Sequence, residues 1–487
     1  MKVELKKGHL SDFKGGLLCV FLMQEENPPW DVKPFLKDIP KERFEGKLLQ
    51  TYVTDTLGQA KFAKLLVVGL GKKEEFRVDN LRMAVGTAVR YASSIKENEL
   101  TVYVQSKFVA TQELNNMAQA IVEGAILAAY KFYHYKTKKD DLFVVGKLHV
   151  LSKENISEGI RRGIVYAEAQ NYARELDEQP ANVASPEWVA NEAKKLAKSH
   201  HLHLTVLGQN ELEKRKMNAI LAVAQGSSSG PRLVRVEYNK GKHYPVYCIV
   251  GKGVVFDSGG ISLKPSLNMH EMKYDKTGAM NVLGVMKALA GLKLPIRVIG
   301  FLPLVENMPS GSAQRPGDIV KSYNGKTIEV LNTDAEGRLI LADALAYAAE
   351  EKPRYMIDMA TLTGAMVVSL GKHAIGMFSN DDTLAKTLED AGVDVHEKVW
   401  RLPLWPEYSE MIKSDFADIK NISGTGEAGS ITAAAFLKEF VGETKWAHLD
   451  IAAVGNIKTP HSYLDKGATG IGVRLVTETL VKLAKKK

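Results

Sequence analysis

Residues Val250 to Asn281 read VGKGVVFDSGGISLKPSLNMHEMKYDKTGAMN, and the rest of the chain is organised around this stretch. It begins where an apolar segment, Val246 to Val250, predicts a buried strand that runs into Gly251. A second apolar piece, Val254 to Phe256, then leads to Asp257 and a Ser-Gly-Gly turn. Acidic residues just past the ends of apolar strands are typical of a ligand site at the edge of a parallel sheet.

A second stretch, Leu331 to Leu341, reads LNTDAEGRLIL. The segment Thr327 to Leu331 predicts a buried strand that ends in Asn332, Thr333 and Asp334. Seven of the charged side chains in the two stretches lie mostly in polar or glycine-rich sequence and are candidates for the site: Lys252, Asp257, Lys264, Asp275, Asp334, Glu336 and Arg338.

Four of these seven side chains are carboxylates, and their mutual repulsion raises their pKa values if they converge without a cation. A pair of metal ions is a natural cation, because carboxylates can bridge two ions. The stretches contain no cysteine and a single histidine, His270, which is not the pattern of a structural zinc site. Oxygen-rich ligands alone favour Mg or Mn. The residues leave open the alternative of a solvated acidic surface balanced by the two lysines and the arginine.

The length of 487 residues predicts two domains, and the composition, 45% apolar and 25% charged, is that of a globular protein. Strand-like runs alternate with helical patterns in both halves, which predicts the α/β class with largely parallel sheets. We expect an N-terminal α/β domain at residues 1–155, a linker helix at 156–177 and a catalytic α/β domain at 178–487. The clearest elements are strands at Gly16–Gln24, Leu100–Val104 and Arg297–Leu302 and helices at Asn80–Ile95 and Thr277–Leu289.

Net charge, cysteine content and the length of apolar runs indicate the cellular location and the kind of partner. The sequence contains no run of about 18 apolar residues, so it predicts no membrane-spanning helix. The N-terminus lacks the apolar core of a secretory signal. Cys19 and Cys248 lie in strand-like sequence and are expected to be buried thiols, which fits a reducing, cytoplasmic location. The net charge of +8 permits a nucleic-acid partner, but no recognition helix or stacking platform is evident.

Several blocks resemble one known family. The sequence NTDAEGRL at Asn332–Leu339, with GKGVVFDSGGISLKP at Gly251–Pro265 and MKYDKTGA at Met272–Ala279, resembles the signature of the leucyl aminopeptidase (cytosol aminopeptidase) family. The resemblance continues through IDMATLTGA, WAHLDIA and GATGIGVRL and covers the second domain. It implies a smaller, macro-like N-terminal α/β domain and a larger catalytic α/β domain with a central, mostly parallel sheet.

By position, the resemblance implies two adjacent divalent metal ions per subunit, Zn or Mn. Lys252, Asp257, Asp275 and Glu336 would hold one ion, and Asp257, Glu336 and Asp334, through its side chain and its main-chain carbonyl, would hold the other. Only a neutral lysine has a lone pair to give, so binding of the first ion would release a proton.

The resemblance also implies catalytic and substrate-binding positions. Lys264 would polarise the scissile carbonyl, and Arg338 would hold a bicarbonate ion that acts as general base. The residues at substrate-binding positions, in an apolar pocket that favours leucine-like residues, are Met272, Asn332, Thr361 and Gly364. For Met272 alone, core packing is an equally good interpretation.

Two positions depart from the family pattern. Val255 stands where threonine is more frequent, and Lys276-Thr277 stands where small or apolar residues are more frequent. Neither change removes a ligand, but Lys276 lies beside Asp275, where it can alter metal affinity or substrate reach.

The sequence therefore predicts a two-metal aminopeptidase that acts on peptides and, by resemblance, assembles as a homohexamer. The alternatives are an additional DNA-binding or regulatory role, which requires a steep salt dependence of binding, a catalytically silent scaffold, and phosphoesterase chemistry on a similar metal pair.

Overall fold

A computed structural model describes residues 1–36, 43–104, 111–138, 143–241 and 243–485 of the chain. It divides into two compact units. The first unit consists of Met1–Asn171 and Lys458–Lys466, and the second of Tyr172–Ile457 and Gly467–Lys487. The α/β class and the two-domain organisation are confirmed, whereas the domain limits at 155 and 177 stay a prediction.

The first unit contains one sheet and two packed helices. Its strands in the described residues are β1 (Lys2–Lys7), β2 (Gly15–Leu22), β3 (Thr51–Asp55), β4 (Phe62–Gly69), β5 (Glu99–Tyr103) and β6 (Lys147–Ser152). Its helices are α1 (Val78–Ser94) and α2 (Thr111–Ala129), and α3 (Ser157–Asp177) begins in this unit. The strand order is β1-β6-β5-β2-β4-β3, with every neighbour parallel except β3 beside β4.

Apolar residues of β2 and β4 explain why this sheet forms. Leu18, Val20, Leu65 and Val67 are buried in one cluster, as expected for strands covered on both faces. The predicted strand Gly16–Gln24 is confirmed with a slightly earlier start and end.

The second unit is larger. Its strands in the described residues are β7 (His203–Leu207), β8 (Arg232–Asn239), β9 (Val246–Gly251), β10 (Gly253–Asp257), β11 (Arg297–Asn307), β12 (Ile319–Lys321), β13 (Thr327–Glu329), β14 (Tyr355–Ala360), β15 (Ile375–Ser379), β16 (Val399–Arg401), β17 (Ile419–Lys420), β18 (Trp446–Asp450), β19 (Asn456–Ile457) and β20 (Gly467–Ala468).

The helices of this unit follow the strands in alternation. They are α4 (Pro186–His200), α5 (Gln209–Lys214), α6 (Asn218–Ala224), α7 (Thr277–Leu292), α8 (Gly337–Ala349), α9 (Gly364–Leu370), α10 (Asp382–Val395), α11 (Pro406–Glu410), α12 (Gly429–Lys438) and α13 (Val473–Lys485). The start of α4 follows the rules of helix capping, because the Ser185 hydroxyl accepts a hydrogen bond from the backbone of Trp188 and Pro186 occupies the first helical position.

The central sheet has the order β16-β15-β18-β14-β9-β11-β8-β7, and β10 pairs with β11, which makes nine strands among the described residues. The middle strands β18, β14, β9, β11 and β10 are parallel to their neighbours within that group. Their carboxyl ends therefore meet at one edge of the sheet, which is where open α/β sheets bind ligands.

A small sheet, β12-β13-β17, lies beside the second signature stretch. The predicted strand Thr327–Leu331 is wrong in its length, because β13 ends at Glu329. Val330 is fully buried, and the Asn421 side-chain oxygen accepts the backbone N–H groups of Leu331 and Asn332. Val330 still exchanges backbone hydrogen bonds with Gly317 and Asp318, and from Leu331 onward the backbone bonds to the Asn421 side chain instead.

Two general expectations are borne out in the described residues. Cys19 and Cys248 are both buried free thiols. In that part of the chain, no helix has the length and apolar content to cross a membrane.

Candidate metal centre

The carboxyl edge of the central sheet carries the first signature stretch. Lys252 follows β9, and Asp257 is the last residue of β10. Thr361 follows β14, whose Met359 pairs with Gly251 of β9. The parallel register therefore brings side chains that are far apart in sequence to one end of the sheet.

Glycines let the backbone approach the site closely. Gly259 has φ +88°, and a Cβ there would lie 2.7 Å from the Oδ1 atom of Asp334. A Cβ at Gly337 would lie 2.5 Å from the Cε atom of Lys252. Both contacts are too short for a side chain, which explains why the Ser-Gly-Gly turn and the Glu-Gly-Arg segment need glycine.

Four carboxylates form what we call the acidic cluster: Asp257, Asp275, Asp334 and Glu336. One carboxylate oxygen from each of Asp257, Asp334 and Glu336 lies within 4.8 Å of the other two. Asp257 is 2% exposed and Glu336 is 1% exposed. This spacing and burial exclude the alternative of a solvated acidic surface.

Two lysines lie among these carboxylates. The Nζ atom of Lys252 is 2.8 Å from Oδ1 of Asp275 and 2.9 Å from Oε1 of Glu336. The Nζ atom of Lys264 is 2.8 Å from Oδ2 of Asp257 and 2.5 Å from Oδ1 of Asp334. Two ammonium groups thus face four carboxylates, which leaves the cluster short of positive charge.

The pKa values reflect this shortage. Burial raises the pKa of Asp275, and the nearby Glu336 and Asp257 raise it further against the opposing effect of Lys252. Burial also raises the pKa values of Asp334 and Glu336, with a further increase from Asp257. Burial by itself would lower the pKa of Lys252, but Asp275, Glu336 and Asp257 raise it above the ordinary value. The cluster would gain stability from additional cations.

Two buried oxygens of the cluster are available to a cation. Among the described residues, neither Oδ2 of Asp275 nor Oε2 of Glu336 accepts a hydrogen bond. Buried carboxylate oxygens without donors are costly unless a cation binds them. Oxygen ligands with one lysine nitrogen are chemically suited to divalent ions of the Mg, Mn and Zn type. The donor set therefore fits metal binding.

Arg338 lies in the first turn of α8 beside the cluster. Its Nη1 donates to the backbone oxygen of Asn421 at 2.5 Å, while its buried Nε has no hydrogen-bond partner among the described residues. Burial lowers the pKa of Arg338 to about 10, against an opposing effect of Glu336, so the guanidinium is charged at neutral pH. A buried cation with a free N–H group is suited to binding a small anion.

The predicted substrate-binding residues lie around Asp275 and Asp334. Thr361 donates its hydroxyl to Oδ1 of Asp275 at 2.8 Å, and its backbone oxygen accepts from Lys252 at 3.0 Å. The side-chain oxygen of Asn332 accepts the backbone N–H of Asp334 at 2.8 Å. Thr361 and Asn332 therefore join the cluster through their side chains.

Met272 and Gly364 have a looser relation to the cluster. The backbone oxygen of Met272 accepts the N–H of Asp275 at 3.2 Å. Gly364 begins α9, and the space beside its Cα is open. These two positions can contact a bound molecule, but they do not hold the carboxylates by side-chain bonds of their own.

Three residues that sequence reasoning missed hold the site together. Asn307 donates to Oδ1 of Asp257 at 2.8 Å and to the backbone oxygen of Thr333 at 3.1 Å. The Thr333 hydroxyl donates to the backbone oxygen of Gly259 at 2.6 Å. The Asn421 side chain accepts the backbone N–H of Leu331 and donates to the backbone oxygen of Asn332. Asn307 ends an apolar strand as Asp257 does, a signal that was present in the sequence, whereas Asn421 gave none.

Two family models match the chain. The catalytic domain of the cytosol aminopeptidase family matches residues 171–477, and the N-terminal domain of that family matches residues 37–139. The matched catalytic segment contains all of the acidic cluster, both of its lysines and Arg338.

Curated relatives and solved structures agree with these matches. A probable cytosol aminopeptidase of Roseiflexus castenholzii is 43% identical over 99% of each chain. One of Brucella ovis is 45% identical over 89% of this chain and 88% of that protein. The bottromycin maturation enzyme BotP, solved in complex with Mn, has a TM-score of 0.87 and 32% identity over 96% of this chain and 99% of its own.

Proposed function

Since this chain belongs to the cytosol aminopeptidase family, we propose that it removes N-terminal residues, preferably leucine-like ones, from peptides by a two-metal mechanism. Membership in the family makes it an aminopeptidase, a hydrolase that depends on metal. The observation that carries the finer proposal is the acidic cluster, in which buried carboxylate oxygens lack donors and face only two ammonium groups.

The proposed metal ligands form two overlapping sets. Lys252, after losing a proton, would hold one ion with Asp257, Asp275 and Glu336. Asp257, Glu336 and the side chain and carbonyl of Asp334 would hold the other. The spacing of Asp257, Asp334 and Glu336, within 4.8 Å of one another, supports ligands that are shared by two ions. Zn or Mn is proposed as the metal, and the Mn bound to the structural relative BotP supports the second.

When bound, such ions supply Lewis-acid activation of the scissile carbonyl and lower the pKa of a bound water. The Lys264 ammonium lies against the carboxylates of Asp257 and Asp334. Burial alone would lower the pKa of Lys264, but these two carboxylates raise it above the ordinary value, so the side chain stays an ammonium. Its charge stabilises the negative oxygen that forms when the scissile carbonyl is attacked.

Arg338 is proposed to hold bicarbonate, which supplies general-base chemistry when bound. The support is its buried charge and its free Nε, since a small anion can accept that N–H. Asn421 takes one of the remaining N–H groups, which keeps the guanidinium in one orientation.

The substrate-binding residues are proposed to be Met272, Asn332, Thr361 and Gly364. The open space beside Gly364 supports a pocket for the first side chain of the peptide. We also propose a homohexamer in the cytoplasm, for which light scattering and cell fractionation are the tests. The names of the relatives give no support to an additional DNA-binding role, and we do not propose one.

The test of this function is hydrolysis of leucine-p-nitroanilide after chelation and re-addition of Zn, Mn, Co or Mg. Asp334→Ala and Lys264→Ala should abolish the activity that metal restores to the wild type. Asp382→Ala, which changes an exposed carboxylate at the start of α10, is the matched control and should keep that activity. A folded wild type that stays inactive with every metal, on this and on longer peptides, would overturn the proposal.

A further inference from the structure

Hydrogen bonds join two turns of the second unit, one of which carries Asp275. One turn, Asp177–Gln179, follows α3, and the other, Lys273–Thr277, carries Asp275 between Tyr274 and Lys276. The Glu178 carboxylate accepts from the Lys273 ammonium at 3.1 Å and from the Tyr274 hydroxyl at 2.9 Å. The Thr277 hydroxyl lies 2.7 Å from the Asp177 carboxylate. Bonds from both sides of Asp275 therefore run to the neighbouring residues Asp177 and Glu178.

The ammonium of Lys276 lies at the centre of this junction. Lys276 is fully buried, and its Nζ donates to three backbone oxygens. The distances are 2.8 Å to Asp177, 3.0 Å to Gln179 and 2.5 Å to Lys273. The Asp177 carboxylate is 3.9 Å away. We call these three oxygens the carbonyl cage.

The cage requires a cation. Three acceptors need three N–H donors, and only the charged form of lysine has three. Converging carbonyl oxygens are also the ligands that bind simple cations in other proteins.

We propose that Lys276 is a positioning residue, whose ammonium acts as a built-in cation in the carbonyl cage and so holds Asp275 in place to bind metal. The positioning role rests on the function proposed above for Asp275. Asp275 has one oxygen bonded to Lys252 and Thr361, and its other oxygen accepts no hydrogen bond in the described chain. The direction of that second oxygen therefore depends on the backbone at residues 274–276, which the cage holds.

The proposal distinguishes Lys276 from an ordinary buried lysine by two properties. A small cation should replace the ammonium if the side chain is shortened, because the cage oxygens remain. Loss of the cation should also weaken metal binding, because partners that orient a metal ligand influence its affinity.

The first experiment is thermal unfolding of the chelated full-length protein at constant ionic strength. Lys276→Ala should lower the Tm by about 5 °C in tetramethylammonium chloride, since three buried carbonyl oxygens lose their donor. Potassium or ammonium chloride should restore at least half of that loss. The control is Lys386→Ala, because the exposed Lys386 ammonium pairs with Asp390 within α10 and belongs to neither turn. Its Tm should not depend on which cation is present.

Equal stability of Lys276→Ala and the wild type in all salts would overturn the cage. An equal loss of Tm in tetramethylammonium, potassium and ammonium chloride would overturn it too, because tetramethylammonium is too large for the space. A variant that stays unfolded in every salt also counts against the proposal, which requires ammonium ions to restore folding. Lys276→Gln, with two N–H donors for three acceptors, should fall between alanine and the wild type.

The second experiment is a titration of the metal-free proteins with Mn²⁺ by calorimetry. In tetramethylammonium chloride, Lys276→Ala should bind one ion about tenfold more weakly than the wild type does, and potassium should restore the affinity. Lys386→Ala should bind as the wild type does. Salt-selective rescue of the Tm with unchanged Mn²⁺ affinity would overturn the positioning role. A wild type that binds no metal would instead overturn the proposed function, and the unfolding experiment would still decide the cage.

Discussion

The acidic cluster of the second unit and a buried charge cluster of the first unit use similar residues to different effect. In the first unit, the Arg82 guanidinium is 2.7 Å from the Glu123 carboxylate and 3.5 Å from that of Asp79. The second oxygen of Glu123 accepts from Gln119 at 2.7 Å, and Asp79 accepts from the Tyr463 hydroxyl at 3.1 Å. We call these side chains the arginine cluster. Both oxygens of its most buried carboxylate are bonded.

The acidic cluster gathers more carboxylates than the arginine cluster does, four compared with two. Asp257, Asp275 and Glu336 are deeply buried, while the side chain of Asp334 is 32% exposed. Asp275 and Glu336 each have an oxygen that accepts no hydrogen bond in the described residues. Burial and neighbouring carboxylates raise the pKa values of Asp275, Asp334 and Glu336. Burial of charge alone therefore does not identify a functional site. Carboxylates that are buried together without enough donors do, because the protein tolerates them only for a ligand that completes them.

The largest expected difference between the two clusters is in activity. Glu336→Gln should lower the kcat/KM for leucine-p-nitroanilide by about a thousandfold or more, because it neutralises a carboxylate that we propose is shared by two ions. The free energy of unfolding of the chelated variant should not fall below that of the wild type, since one of several repelling charges is removed. Steady-state kinetics and urea unfolding test both parts. A loss of activity of less than tenfold would show that the cluster does not work as proposed.

The next effect is on stability and concerns the arginine cluster. Glu123→Gln keeps the shape of the side chain but removes the carboxylate that faces Arg82, and breaking a buried ion pair in this way costs about 3 kcal/mol. Urea unfolding followed by circular dichroism should detect this loss. The kcat/KM of the folded variant should match that of the wild type. Reduced kcat/KM with unchanged unfolding would reverse the roles that we assign to the two clusters.

The smallest effect concerns a buried pair that has features of both clusters. Nδ1 of His448 is 2.6 Å from the Asp358 carboxylate, while its buried Nε2 has no partner among the described residues. Burial alone would lower the pKa of His448, but Asp358 raises it above its ordinary value of 6.5. The protonated form is therefore favoured in the folded state, and the pair contributes stability that is complete below pH 6.5 and is lost as the pH rises through the raised pKa.

A variant isolates this pH dependence. Asp358→Asn removes the charge that raises the histidine pKa. The wild type should therefore have a higher free energy of unfolding than the variant, and this difference should be larger in acid than in alkali. Unfolding by urea on either side of neutral pH measures the two differences. The Asp381→Asn variant, at the cap of α10, serves as a control for a carboxylate without a histidine. A difference that grows as the pH rises would contradict the assignment of the proton to His448.

Much of the fold could be predicted because its signals are local. The apolar run before Gly251, the segment before Asp257 and the helical pattern from Thr277 each correspond to an element of the structure. The strand predicted to end at Leu331 was too long, because apolar residues are buried in loops as well as in strands. Burial of Val330 came from tertiary packing, and periodicity cannot distinguish the two cases.

The sequence by itself determined which charged residues gather in the acidic cluster, because they lie in two short stretches with recognisable spacing. Only the tertiary structure decided how those residues are held. Asn307 reaches Asp257 across paired strands, Asn421 reaches the loop of Asn332, and Lys276 finds its carbonyl oxygens at Asp177 and Gln179. These contacts depend on strand register and on turns that meet from distant parts of the chain. Their physical reason is the satisfaction of buried polar groups, which is decided only when the chain is packed.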